Sequence, residues 1–189
     1  MKLLTQSIML TIVLTVLTGV IYPLVVTGIA QLAFKDQANG SLIEKNGQVV
    51  GSEFLAQQFT GEKYFWPRPS AGGYATVPSG ASNKGPTSVD LQKAVEARVT
   101  AFRAAHKLAA DAPVPADMVF ASGSGLDPHI SPEAAHLQVA RVAAARGISE
   151  DQIKALVEKF IEGPQWGILG ESRVNVLRLN LALETGPAK

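Results

Sequence analysis

Ile8-Met-Leu-Thr-Ile-Val-Leu-Thr-Val-Leu-Thr-Gly-Val-Ile-Tyr-Pro-Leu-Val-Val-Thr-Gly-Ile-Ala-Gln-Leu-Ala-Phe34 decides how the rest of the chain is read. No charged side chain lies between Lys2 and Lys35, and apart from Thr and one Gln the stretch is apolar. At about 1.5 Å per residue it crosses a hydrocarbon core of roughly 30 Å with some tilt. A cleaved signal peptide is the rival reading, with Gly28-Ile29-Ala30 as the small-x-small site. Signal peptides, however, carry an apolar region of only about 7 to 15 residues. The stretch therefore reads as an uncleaved anchor. Lys2 and the free amino terminus place the short head in the cytoplasm and everything after the span outside. Thr11, Thr15, Thr18 and Tyr22 recur at steps of four, three and four, which puts them on one helix face beside Gly19. Small and hydroxylated residues at that spacing favour close packing against another helix in lipid, where apolar attraction supplies no drive. The competing reading is that each Thr bonds back to its own helix. Pro23 lacks a backbone donor and is expected to kink the outer half.

Outside the span about 150 residues remain, a normal size for one domain with its own core. The formal net charge is +1 and cysteine is absent. Near-neutral charge gives no basic surface for nucleic acid and no polybasic run for anionic lipid. Without cysteine, an envelope domain relies on packing and not on disulfides. The expected architecture is α+β. Residues 1–36 form a membrane anchor, with one transmembrane helix at about 8–34. Residues 37–189 form a single extracytoplasmic domain of helices with a small antiparallel sheet.

Asn46-Gly47 between Ser41-Leu-Ile-Glu-Lys45 and Gln48-Val-Val50 is a strong hairpin signal, because both turn residues tolerate positive φ. It places a small sheet next to the membrane. Ser52 is expected to cap a short helix through Phe54, Leu55, Gln58 and Phe59. From Thr60 to Ser88 periodicity vanishes. Tyr64-Phe65-Trp66-Pro67-Arg68-Pro69-Ser70-Ala71 reads as extended, and Gly72 to Pro86 is rich in Gly, Ser, Asn and Pro. So long an irregular stretch in a compact domain is usually a binding surface, a lid or a self-packed loop, and its aromatics argue for order.

Thr87 with Asp90 marks the next helix start, and Leu91, Val95, Val99 and Phe102 mark its buried stripe. Asp111 to Pro115 breaks the chain, and Met118-Val119-Phe120 reads as a short buried strand. Ser131 with Pro132 opens a helix that runs to about Arg146 and stops at Gly147. Ser149 and Gln152 form a capping box, with Ile148 stapled to Ile153 and an apolar stripe through Leu156, Val157, Phe160 and Ile161. Between Arg173 and Glu184 apolar residues alternate as in a strand, yet Ser172 and Gly186 bracket the segment as helix caps would. Helix is the preferred reading.

Recognisable catalytic chemistry does not emerge. There is no Gly-x-x-x-x-Gly-Lys-Ser/Thr loop, and Gly123-Ser124-Gly125 lacks the third glycine of a dinucleotide fingerprint, Pro128 occupying that place. Ser124 also has the wrong neighbours, Ser122 and Leu126, for a nucleophile elbow. His106, His129 and His136 are too scattered for zinc. His106 reads as a solvated helix residue and His136 as one near Glu133. Asp127 and His129 lie in a tight loop before a helix start, where an anion or a partner carboxylate could bind. Local Asp and Ser bonding is the competing account of that loop.

Together these segments resemble a known family along nearly the whole chain, the C subunit of the bacterial Kdp-type potassium-transporting P-type ATPase. The carriers are Gly19 with Tyr22-Pro23-Leu24, Asn39-Gly40-Ser41-Leu42-Ile43, Gly51-Ser52, Tyr64-Phe65, Arg68-Pro69-Ser70-Ala71, Ser79 to Asn83, and Gly85-Pro86. They continue in Ala121-Ser122, Ser124 to Ser131, Val174-Asn175-Val176-Leu177 and Leu179-Asn180-Leu181-Ala182-Leu183. Ala56-Gln57, Ala81 and Gly123 depart from the expected Ile-Gly, Gly and Ala.

The resemblance implies a non-catalytic accessory subunit of an inner-membrane, ATP-driven potassium importer. Its partners would be a channel-like potassium-binding subunit, a P-type ATP-hydrolysing subunit and membrane lipid. No cofactor is expected on the chain's own motifs, and ATP enters only through the complex. By the family's usual description the chain is a catalytic chaperone that raises the ATP affinity of the hydrolysing subunit. The topology read above favours a structural role, with the head covering the potassium entrance. Expected partner contacts are Tyr64, Phe65, Arg68, Ser70, Ser82, Asn83, Asp127 and His129. A reading from another class is a tethered domain that binds a small envelope ligand through Trp66, Arg68 and Tyr74.

Overall fold

The computed structural model describes residues 1–185, so the expected closing cap Gly186 lies outside the described residues. The chain divides into two compact units, Met1–Val50 and Gly51–Lys189.

The first unit is dominated by one continuous helical rod over Lys2–Ala33, long and apolar enough to cross a membrane. It consists of α1 (Lys2–Val16), a widened π turn (Leu17–Ile21) and α2 (Tyr22–Ala33). The π turn lies just before Pro23, whose ring would press on the carbonyl four residues back and whose missing N–H leaves one carbonyl unbonded. The wider turn is how the helix passes the proline. Thr11 Oγ1 donates to the Ser7 carbonyl (2.9 Å) and Thr18 Oγ1 to the Leu14 carbonyl (2.7 Å). Those two hydroxyls therefore bond back to their own helix. After the single turn α3 (Lys35–Ala38) come β1 (Leu42–Lys45) and β2 (Gln48–Ser52), a two-stranded sheet. Asn46 (φ 55°) and Gly47 (φ 75°) make the expected turn, both left-handed.

In the second unit Ser52 caps no helix; its Oγ accepts from the Phe54 N–H (3.3 Å) in a turn. Glu53, Leu55, Ala56 and the two glutamines favour helix by propensity, but long-range contacts claim the backbone instead: the Ala56 N–H donates to the Leu126 carbonyl (2.8 Å) and the Glu53 carbonyl accepts from Asn175 Nδ2 (2.8 Å). Irregular chain then runs to Ser88, as expected. Helix α4 (Val89–His106) is capped by Ser88, not Thr87: the Ser88 Oγ accepts from the Leu91 N–H. Met118 and Val119 belong to the helical turn α5 (Ala116–Val119) and not to a strand, and both are buried while Phe120 is exposed. A run of three apolar residues cannot by itself distinguish a buried turn from a buried strand.

The remaining elements are β3 (His129–Ile130), α6 (Pro132–Arg146), α7 (Glu150–Lys159), β4 (Ile161–Glu162), β5 (Arg173–Asn175) and α8 (Val176–Thr185). The three short strands form an antiparallel sheet in the order β3-β5-β4, with His129 opposite Asn175 and Ile161 opposite Val174. The capping box of Ser149 and Gln152 and the left-handed stop at Gly147 (φ 67°) are both present. The expected Arg173–Glu184 helix begins three residues late. Arg173–Asn175 is strand, and Asn175 rather than Ser172 caps α8, its Oδ1 accepting from the Arg178 N–H (3.1 Å). Val176, Leu179, Asn180 and Leu183 then fall on one buried face at helical spacing. The core packs α6, α7, α8 and β5 around Phe65, Phe102 and Met118. Phe65, fully buried, thus anchors the irregular segment in the centre of the unit.

Candidate functional site

An extended segment without strand partners must satisfy its backbone groups by other means. For the carbonyls of residues 62–66 and the N–H groups of Phe65 and Trp66 the partners are side chains, while the Tyr64 N–H turns back to the Gly61 carbonyl (3.2 Å). The Asn180 amide takes both groups of Phe65, accepting from its N–H (2.8 Å) and donating to its carbonyl (2.9 Å). Gln138 treats Trp66 in the same way, at 2.7 Å and 3.2 Å. Arg141, one turn further along α6, donates to the carbonyls of Glu62 and Tyr64 and to Gln138 Oε1, and its guanidinium lies 4.1 Å from the Trp66 ring. Arg146 reaches the Lys63 carbonyl (2.7 Å), the Leu183 carbonyl and the Glu184 carboxylate. One face of α6 and one residue of α8 therefore form a bed that holds this segment as a sheet neighbour would. Gln138 and Asn180 were legible only as polar residues inside apolar stripes.

His106, expected to be solvated, is buried at the end of α4. It stacks on Phe102 (ring centroids 4.0 Å) and meets the edge of Trp66 at 5.3 Å. Its Nδ1 faces the Phe102 carbonyl (2.8 Å), which can only accept, and its Nε2 faces Arg141 Nε (3.0 Å), which can only donate. Both bonds together require the neutral ring with the proton on Nδ1. Burial, with Arg141 adding to it and the Phe102 carbonyl opposing it, lowers the His106 pKa to about 4. The unfolded chain thus takes this proton first. The contribution of this ring to stability is unchanged above pH 6.5, falls as pH drops towards 4, and levels off below that. At ~1.4 kcal/mol per unit the loss is on the order of 3 kcal/mol. Denaturant unfolding of wild type and His106→Gln between pH 4 and 7 checks this: the variant should lose most of the slope in that window.

A second feature lies where two irregular segments meet. Ser122 N–H donates to the Pro69 carbonyl (3.2 Å), and Arg68 pairs with Asp127 at 2.7 Å. Gly125 sits with φ 71° where an added Cβ would come 2.9 Å from the Gly80 carbonyl and 3.3 Å from Ser70 Oγ, so the contact admits only glycine. Asp127 Oδ1 accepts from the His129 N–H (3.0 Å) and lies 3.5 Å from His129 Nδ1. Burial alone would raise the Asp127 pKa, but the bonds from His129 and Arg68 outweigh it and hold the carboxyl at about 2. Arg68, Asp127 and His129 line a cleft of about 530 Å³ with Asp117, Ser131 and Arg173.

Of the other expected contact residues, Phe65 is core and Tyr64 is half-buried, 5.4 Å from Phe59. Ser70 Oγ accepts from the Tyr74 N–H (2.9 Å). Ser82 is exposed on a separate pocket of about 370 Å³ with Ser70, Lys84 and Arg98, and Asn83 is exposed with φ 53°. Trp66 and Tyr74 share an apolar cleft of about 350 Å³ with Phe59, Phe102 and Met118, whereas Arg68 lines the charged cleft instead. The sequence had grouped these three; the structure separates the arginine. Thr11, Thr15, Thr18, Gly19 and Tyr22 lie on the exposed surface of the apolar rod. His136 faces Glu158 (3.1 Å) across to α7 and not Glu133 on its own helix.

A third feature escaped sequence reading. Residues 163–170 fold into a tight hairpin in which Gln165 and Leu169 exchange two backbone bonds, at 2.8 and 2.9 Å. Trp166 (φ 53°) and Gly167 (φ 78°) are both left-handed. For a tryptophan that conformation costs roughly 1–2 kcal/mol. Yet Trp166 is 88% exposed and Ile168 80% exposed.

The family described as "K+-transporting ATPase, c chain" matches residues 4–185. A protein named "Potassium-transporting ATPase KdpC subunit" from Rhodospirillum rubrum is 55% identical, covering 97% of this chain and 96% of its own length. Proteins of the same name from Mycobacterium bovis and Dechloromonas aromatica are 53% and 51% identical, each covering at least 96% of both chains.

Proposed function

The chain belongs to the K+-transporting ATPase c-chain family, and on that premise we propose that it is a non-catalytic accessory subunit that assembles and stabilises an ATP-driven potassium import complex. The observation that carries this reading is the bed of Gln138, Asn180, Arg141 and Arg146, which spends buried and charged side chains on the shape of one presented segment. Such a device suits a preformed docking surface, because order established in the free chain is not lost again on binding. The apolar rod anchors the chain, with the amino terminus in the cytoplasm and the head on the outer side. Its Thr11, Thr15, Thr18, Gly19 and Tyr22 face packs against a partner helix. The loop residues Tyr64, Arg68, Ser70, Ser82, Asn83, Asp127 and His129 meet the channel-like subunit and the P-type ATP-hydrolysing subunit.

An effect on ATP affinity follows without any nucleotide contact here. If the chain binds the nucleotide-loaded conformation of its partners more tightly, linkage makes ATP bind more tightly in its presence by the same factor. Affinity purification of the tagged full chain from native membranes in mild detergent tests the assignment: two large membrane proteins should co-elute. Elution of the chain alone would refute it.

A further inference from the structure

From the hairpin over residues 163–170 we infer a docking tip, with Trp166 and Ile168 seated in an uncharged apolar pocket on another subunit of the same ATPase. This rests on the subunit reading above. A tryptophan in left-handed backbone is disfavoured, and asparagine or glycine would suit the position better. The fold gains nothing in return, since the side chain is 88% exposed. The turn is nevertheless held firmly: besides the two Gln165–Leu169 bonds, Gly167 N–H donates to the Pro164 carbonyl (3.0 Å) and Ile168 N–H to the Gln165 carbonyl (3.2 Å). A large, rigid aromatic presented at low entropic cost is the usual form of an interface anchor.

Charge chooses between the two apolar environments open to a membrane-anchored chain. The tip carries no charge from Gly163 to Gly170, and its flanks are the acids Glu162 and Glu171. Arg173 is turned onto Glu162 at 3.1 Å. Segments that insert beside anionic lipid headgroups carry Lys and Arg near the apolar residues. The acidic flanks oppose that surface, which leaves an apolar protein pocket as the occupant.

Trp166→Asn separates folding from docking, because asparagine accepts the left-handed backbone while the aromatic is lost. The full-length variant should unfold at the same temperature as wild type or higher, and should bind membranes carrying the other subunits about 30-fold or more weakly. Ile168→Ser should weaken binding in the same direction. In chain labelled with 5-fluorotryptophan, the resonance missing from Trp166→Asn should lose its solvent-isotope shift in the complex. It should keep that shift on vesicles of anionic phospholipid alone. Wild-type-like assembly of Trp166→Asn and Ile168→Ser overturns the docking tip and leaves the subunit assignment standing. Equal shielding by bare vesicles overturns the choice of a protein pocket. Failure of the wild-type chain to associate at all overturns both.

Discussion

Asn180→Leu is expected to cost about 3–5 kcal/mol of folding stability, although leucine is close in size and the site is buried among apolar residues. The reason is that Asn180 serves the backbone of Phe65, 115 residues away, at both its N–H and its carbonyl. Removing the amide leaves two buried peptide groups without partners, each costing about 1–3 kcal/mol. A transfer scale would rank the substitution as favourable, so the sign itself discriminates. Equilibrium urea unfolding of the full chain in detergent, followed by far-ultraviolet dichroism, reads the loss. A change under about 1 kcal/mol would show that the bed does not hold the segment.

Phe65→Ala should be comparably severe by a different route. The ring is completely excluded from solvent and packs in the central cluster with residues of α6, α8 and β5. Truncating a buried Phe removes transfer free energy and leaves a cavity, together about 3–5 kcal/mol. Because Asn180 and Phe65 act on one segment, the double variant should lose less than the sum of the singles. Once the segment has left its bed, the second substitution has little left to break. Strict additivity in a double-mutant cycle would mean that ring and backbone are held independently.

Local signals carried the sequence reading where they were complete within a few residues. Asn46-Gly47, Ser131-Pro132, Gly147 and the Ser149–Gln152 box each encode a turn or cap in their own side chains, and all appear as read. Where the signal was short, the neighbourhood decided. Met118-Val119 became a helical turn, Ser88 took the cap from Thr87, and Asn175 took it from Ser172. The sequence identified the 60–88 stretch as ordered and irregular, but not what orders it. Gln138 and Asn180 are ordinary polar interruptions until the chain brings Phe65 and Trp66 against them. His106 reads as one more polar residue of α4 until Phe102, Trp66 and Arg141 close around it.

The amino-acid order alone determined the apolar rod, the hairpin turn, the helix boundaries set by their own caps, and the family, because each depends on groups adjacent in the chain or on their ordered succession. Only the tertiary structure decided which backbone groups each buried amide serves, which histidine lies in the core, and which loops share a cleft. Those outcomes depend on contacts between residues far apart in sequence, whose pairing no local periodicity records.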